Sequence, residues 1–105
     1  MTGGTSLGQV GQIPLGEGRV FAVAGRKIAI FRTHSGEVFA TQAECPHLRG
    51  PLADGLIRGT TVICPLHDRA YDLRTGQGLN GETTKLEVYP ASLDADGNIL
   101  ISLPA

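Results

Sequence analysis

Cys45-Pro46-His47-Leu48-Arg49-Gly50 and, with sixteen residues between His47 and Cys64, Cys64-Pro65-Leu66-His67 place two thiols and two imidazoles in two short segments of a 105-residue chain. Cys45 and Cys64 are the only cysteines, and His47 and His67 are two of the three histidines. A disulfide would leave both histidines without a role, whereas one shared metal centre uses all four side chains. Zinc accepts Cys2His2 sets, but its structural sites usually begin with cysteines two to four residues apart. Cys-x-His followed by Cys-x-x-His departs from that spacing. Reading the four as unrelated core and surface residues requires two coincidences of spacing at once.

The remaining composition sets bounds on the class. A chain of this length is expected to form one domain over residues 1–105, burying roughly 65% of its unfolded surface, which is marginal without an added constraint. A metal centre tying two loops together supplies one. With 41% apolar residues, 18% charged residues and a formal net charge of -1, the chain lacks the basic excess of a nucleic-acid binder. Met1-Thr2-Gly3-Gly4-Thr5-Ser6 has neither the positive nor the apolar region of a signal peptide, and no stretch approaches a membrane span. A cytoplasmic protein is expected, where free thiols persist as ligands.

Fifteen glycines and six prolines punctuate short runs rich in Val, Ile and Phe, the pattern of an all-β domain. Strands are expected over 19–24 and 27–32 around Gly25, over 38–42 after the turn at His34-Ser35-Gly36, and over 60–64. Two more, 85–89 and 98–103, flank the turn at Asp94-Ala95-Asp96-Gly97. The cluster of ligand residues then falls on hairpin tips between about residues 43 and 76. The first eight residues are expected to be disordered.

Two weaker signals have simpler explanations. Gly76-Gln77-Gly78-Leu79-Asn80-Gly81 matches G-x-G-x-x-G, but an alternating segment follows where a dinucleotide site needs a helix N-terminus, so it reads as a glycine-rich loop. His34 sits in a polar turn with no cysteine or carboxylate at ligand spacing and reads as a solvated loop residue.

From about Arg19 to Leu103 the chain resembles Rieske-type [2Fe-2S] proteins. The resemblance is carried by Cys45-Pro46-His47-Leu48-Arg49-Gly50-Pro51-Leu52-Ala53-Asp54-Gly55, Cys64-Pro65-Leu66-His67-Asp68, Asp72-Leu73-Arg74-Thr75-Gly76 and Tyr89-Pro90. It implies an antiparallel β-sandwich with an inserted cluster-binding subdomain. It also implies that Cys45 and Cys64 hold one iron of the cluster and His47 and His67 the other. The Cys-Pro-His-x-x-Gly-Pro-Leu form and the late Tyr-Pro look most like the small subunit of assimilatory NAD(P)H nitrite reductase. Next come the soluble ferredoxins of aromatic-ring-hydroxylating dioxygenases, which usually show Cys-Thr-His. A zinc-stabilised β interaction module is the remaining alternative.

The implied role is one-electron transfer, from a flavin-dependent reductase module to a terminal reductase or oxygenase, with no catalysis by the chain alone. In formal charges the cluster and two thiolates sum to zero when oxidised and minus one when reduced, so donors near the cluster raise its potential. Backbone amides of 48–50 and 66–69 are candidate donors. High-potential members carry a serine and a tyrosine after the second ligand pair; Arg69 occupies the serine's position and Tyr71 the tyrosine's. Tyr71 is either a donor to a ligand sulfur or a core aromatic with its hydroxyl satisfied elsewhere. Without the serine, and without the disulfide of respiratory-complex relatives, the potential is expected low in the range of about −150 to +300 mV. Pro46, Leu48, Pro51, Leu52, Pro65 and Leu66 are expected to form an apolar collar for redox partners, shared with packing between the loops.

Overall fold

A run of four buried side chains, Ile28-Ala29-Ile30-Phe31, lies at the centre of the protein. Side chains alternate faces along a strand, so a strand apolar at every position must be covered on both sides. A computed structural model, which describes residues 5–46, 49–66 and 68–103, shows that arrangement. Strand β3 (Arg26–Arg32) lies in a sheet ordered β2 (Glu17–Val23), β3, β4 (Val38–Gln42) and β8 (Val88–Tyr89), all antiparallel. Ile28 and Ile30 face one core with Ile13, Ile99 and Ile101, while Ala29 and Phe31 face a second core with Leu52, Val62, Tyr71 and both cysteines.

The first core is closed by a three-stranded sheet in which β10 (Asn98–Ile101) runs between β1 (Thr5–Gln9) and β9 (Ala91–Leu93). These two sheets make the sandwich. The second core is closed by β5 (Leu56–Arg58), β6 (Thr61–Ile63) and β7 (Ala70–Asp72), a subdomain inserted between β4 and β8. The all-β fold with an inserted subdomain therefore agrees with the expectation.

Turn chemistry follows the sequence closely. Ala24 and Gly25 both have positive φ, 51° and 79°, the pair of left-handed residues that a tight hairpin between β2 and β3 requires. At the β9–β10 turn the Asp94 carboxylate accepts from the backbone amides of Asp96 and Asn98, which holds its carboxyl below the usual range.

The N-terminal expectation needs correction. Thr5–Gln9 form β1 and pair with β10, with Thr5 opposite Ile101 and Ser6 opposite Leu100. Polar residues hid this strand, because its stabilisation is tertiary: Leu7 packs on the first core and the Gln9 amide donates to Asn98 Oδ1 at 2.7 Å. Residues 1–4 lie outside the described residues. The segment expected as a strand over 85–89 is extended only at Val88 and Tyr89, with Lys85 making an isolated bridge to Gln77.

Candidate metal centre

Two loops of matching construction carry the cysteines. Cys45 follows β4; its amide donates to the Gly50 carbonyl at 2.8 Å, and Arg49 takes a left-handed φ of 57°. Cys64 follows β6; its amide donates to the Arg69 carbonyl at 2.7 Å, and Asp68 takes a left-handed φ of 52°. Each cysteine is thus tied to the residue five positions on, with the left-handed residue just before it. Bridges outside the tips, Glu44 with Pro51 and Ile63 with Ala70, hold the stems. Both predicted cysteines come together. His47, Leu48 and His67 lie outside the described residues.

Cys45 and Cys64 are 1% and 0% exposed, and their side chains hydrogen-bond one another. The loops close on each other at Gly50, where a Cβ would stand 2.9 Å from Cys64 Sγ and 3.0 Å from Leu66 Cγ, so a larger residue would have to displace the sulfur. Burial pushes the Cys64 thiol up, and the Leu66 amide, donating to that sulfur, pulls it back. A thiolate is favoured here only when a cation compensates its charge. Two adjoining buried thiols, one receiving an amide and the other 3.5 Å from a tyrosine hydroxyl, are a soft donor set prepared for negative sulfur. They fit an iron–sulfur cluster.

The expected amide donors divide accordingly. Leu66 serves Cys64, but the Arg49 amide donates to the Cys45 carbonyl at 2.8 Å and faces away from the sulfur. The apolar collar also divides. Pro46, Pro51, Pro65 and Leu66 are exposed, whereas Leu52 is fully buried in the second core, on the short 3-10 turn Leu52–Asp54.

Tyr71 is a core aromatic whose hydroxyl stands between a ligand-loop sulfur and a second oxygen. Its ring is fully buried, and its hydroxyl lies 3.5 Å from Cys45 Sγ and 2.9 Å from Thr84 Oγ1. Burial first, and the Cys45 sulfur second, push the phenol up to about 12. Beyond it lies a polar chain that sequence reasoning missed. The Thr84 hydroxyl and amide both donate to Glu82 Oε2, the amide at 2.8 Å, and Arg69 pairs with Glu82 Oε1. Glu82 and Thr84 follow the glycine-rich loop of Gly76 to Gly81, and polar side chains in such a connection carry no periodicity to mark them.

These contacts hold the Glu82 carboxyl down at about 2, with the Thr84 hydroxyl the largest cause, then the Thr84 amide and Arg69. A carboxyl that is more acidic folded than unfolded stabilises the fold above its ordinary value of 4.5 and loses that contribution as the pH falls toward 2. Glu82→Gln is therefore expected to show a smaller loss of stability than the parent across this window, measured by urea unfolding at successive pH values.

His34 is exposed in its turn, with its ring over Gly16, and lies on the sandwich away from both loops. Gly76 to Gly81 form a loop, as expected, with Tyr71 bridging Gly78. Among the described residues no helix is long and apolar enough to cross a membrane.

A sandwich with an inserted three-stranded subdomain, and two cysteine loops clasped together at its tip, defines an iron–sulfur protein of the Rieske type. The chain belongs to the Rieske [2Fe-2S] domain family, whose model matches residues 5–90. Its cofactor is a Rieske-type [2Fe-2S] cluster and its chemistry is electron transfer alongside an oxidoreductase partner. It is 30% identical over 88% of both chains to the ferredoxin component of the naphthalene 1,2-dioxygenase system of Pseudomonas aeruginosa. It is 38% identical over 72% of both chains to the 3-phenylpropionate/cinnamic acid dioxygenase ferredoxin subunit of Photorhabdus laumondii. Among solved structures, one assigned as the NADH-dependent nitrite reductase small subunit of Mycobacterium tuberculosis superposes with a TM-score of 0.87 at 25% identity, covering 97% of this chain and 96% of that one.

Proposed function

We propose that this protein is a soluble one-electron carrier that delivers electrons to a ring-hydroxylating oxygenase, with Cys45 and Cys64 on one iron and His47 and His67 on the other. The observation that carries the reading is the 30–38% identity to dioxygenase ferredoxin components, extending over 72–88% of this chain. The two thiols are buried, and the exposed Pro46, Pro51, Pro65 and Leu66 around them supply a small apolar contact suited to brief redox encounters. A flavin-dependent reductase is the electron source in this reading. The cytoplasm is its location, in keeping with two free cysteines.

The nitrite reductase subunit is the second reading. It is supported by the TM-score of 0.87 over nearly the whole of both chains and by the Cys-Pro-His form of the first loop. Reconstitution separates the two. Cluster-loaded protein, NADH and a flavin reductase are combined with either an aromatic-ring oxygenase or a sirohaem nitrite reductase large subunit. Hydroxylated product that depends on this protein, with no stimulation of nitrite reduction, is the expected result. The reverse pattern assigns the protein to nitrite reduction.

A further inference from the structure

We propose that Thr84, anchored by Glu82 and Arg69, is a positioning residue that draws the proton of Tyr71 away from the Cys45 sulfur and so lowers the cluster's reduction potential. The number of protons along a chain of four groups fixes the direction of its hydrogen bonds. A carboxylate only accepts hydrogen bonds, while each hydroxyl has a single proton to give. Arg69 pairs with one oxygen of Glu82, and the Thr84 amide donates to the other at 2.8 Å. The Thr84 hydroxyl also donates to that second oxygen. Its one proton is then committed, so Thr84 Oγ1 can meet Tyr71 only as an acceptor.

Tyr71 must therefore be the donor in the 2.9 Å contact with Thr84. The Cys45 sulfur, 3.5 Å from the same oxygen, is left with the weaker share of a single proton. Reduction adds one electron from the partner and takes the cluster and its two thiolates from a formal charge of zero to minus one. No bond is made or broken in the protein. A donor aimed at a ligand sulfur stabilises the more negative state and raises the potential, and here that donor is turned toward Thr84. Arg69 thus does more than fill the position of a missing serine: by fixing Glu82 it orients the tyrosine as well.

The inference rests on Cys45 as a cluster ligand, which the spectrum checks separately: a Cys45→Ser protein that keeps its visible absorption removes that premise. The relay itself is tested by voltammetry on cluster-loaded protein, with loading confirmed by absorption. Thr84→Val leaves the Tyr71 proton no partner but the sulfur. It is expected to raise the reduction equilibrium about tenfold, or ~59 mV for one electron. Thr84→Ser, which keeps the hydroxyl, is expected to retain the parent potential. Tyr71→Phe is expected to stay within about twofold of the parent, and Thr84→Val combined with Tyr71→Phe to match Tyr71→Phe alone. A tenfold fall in Tyr71→Phe, or no rise in Thr84→Val, overturns the relay. Should Thr84→Val not fold, Tyr71→Phe decides by itself: a shift within about twofold supports the relay, and a tenfold fall overturns it.

Discussion

Cys64→Ser is expected to abolish the visible absorption of the purified protein and the EPR signal of its reduced form. Cys64 is wholly buried beside Cys45, and these are the only two cysteines in the chain, so no other thiol can substitute. A serine hydroxyl is a harder, far less acidic donor, and at this depth its deprotonation lacks the thiolate's polarisability. Because the two loops meet through Gly50 against Cys64, loss of the cluster also removes a link between β4 and β6. Binding energy for a metal group is folding energy, so the denaturation midpoint is expected to fall together with the colour. A serine variant with an undiminished spectrum would show that the ligand assignment is wrong, and a colourless parent protein containing zinc would remove the cluster altogether.

Gly76→Ala is expected to destabilise the fold by about 2–5 kcal/mol, combining a left-handed backbone cost with overpacking. Gly76 has φ +81°, and a Cβ there would stand 2.1 Å from the Leu86 carbonyl oxygen. That carbonyl belongs to a core residue whose own amide donates to the Gly76 carbonyl at 2.7 Å, so neither side can move without opening the second core. Gly81 provides the comparison: its φ is +85° but a Cβ would meet nothing within 4 Å. Gly81→Ala is expected to cost only the backbone term, about 1–2 kcal/mol. Thermal unfolding of the two variants measures the difference, and a Tm drop of roughly 10 °C or more is expected for Gly76→Ala. Equal drops in both would show that the Leu86 contact yields freely.

The parts of the molecule legible in the sequence were those with a local physical cause. Ile28 to Phe31 announced a strand because β-branched and aromatic residues between turn signals have few alternatives. Gly25, Gly36 and Gly97 marked turns because each takes a positive φ. The cysteines announced a metal centre through residue type and spacing. What escaped had a nonlocal cause. Strands β5, β7 and β9 have three residues each, too few for alternation to register, and exist through pairing with neighbours. Nothing local distinguishes a leucine under a loop, such as Leu52, from one on it; its burial follows from the second core, whose members include Phe31, twenty-one positions away. Glu82 and Thr84 belong to the site only because the return from β7 toward β8 carries them past Tyr71.

The twin loops bear on the speed of the carrier as well as on its construction. A donor and acceptor exchange electrons quickly when little in their surroundings must rearrange between the two charge states, and fixed dipoles meet that condition. Each cysteine amide is already bound to a carbonyl within its own loop, and the stems on either side are pinned by strand pairing. Among the described residues, the backbone on either side of each cysteine is held in place when an electron arrives or departs. Reorganisation is thereby confined to small shifts in bond length and hydrogen-bond length at the centre, as suits a protein whose task is completed in a passing collision.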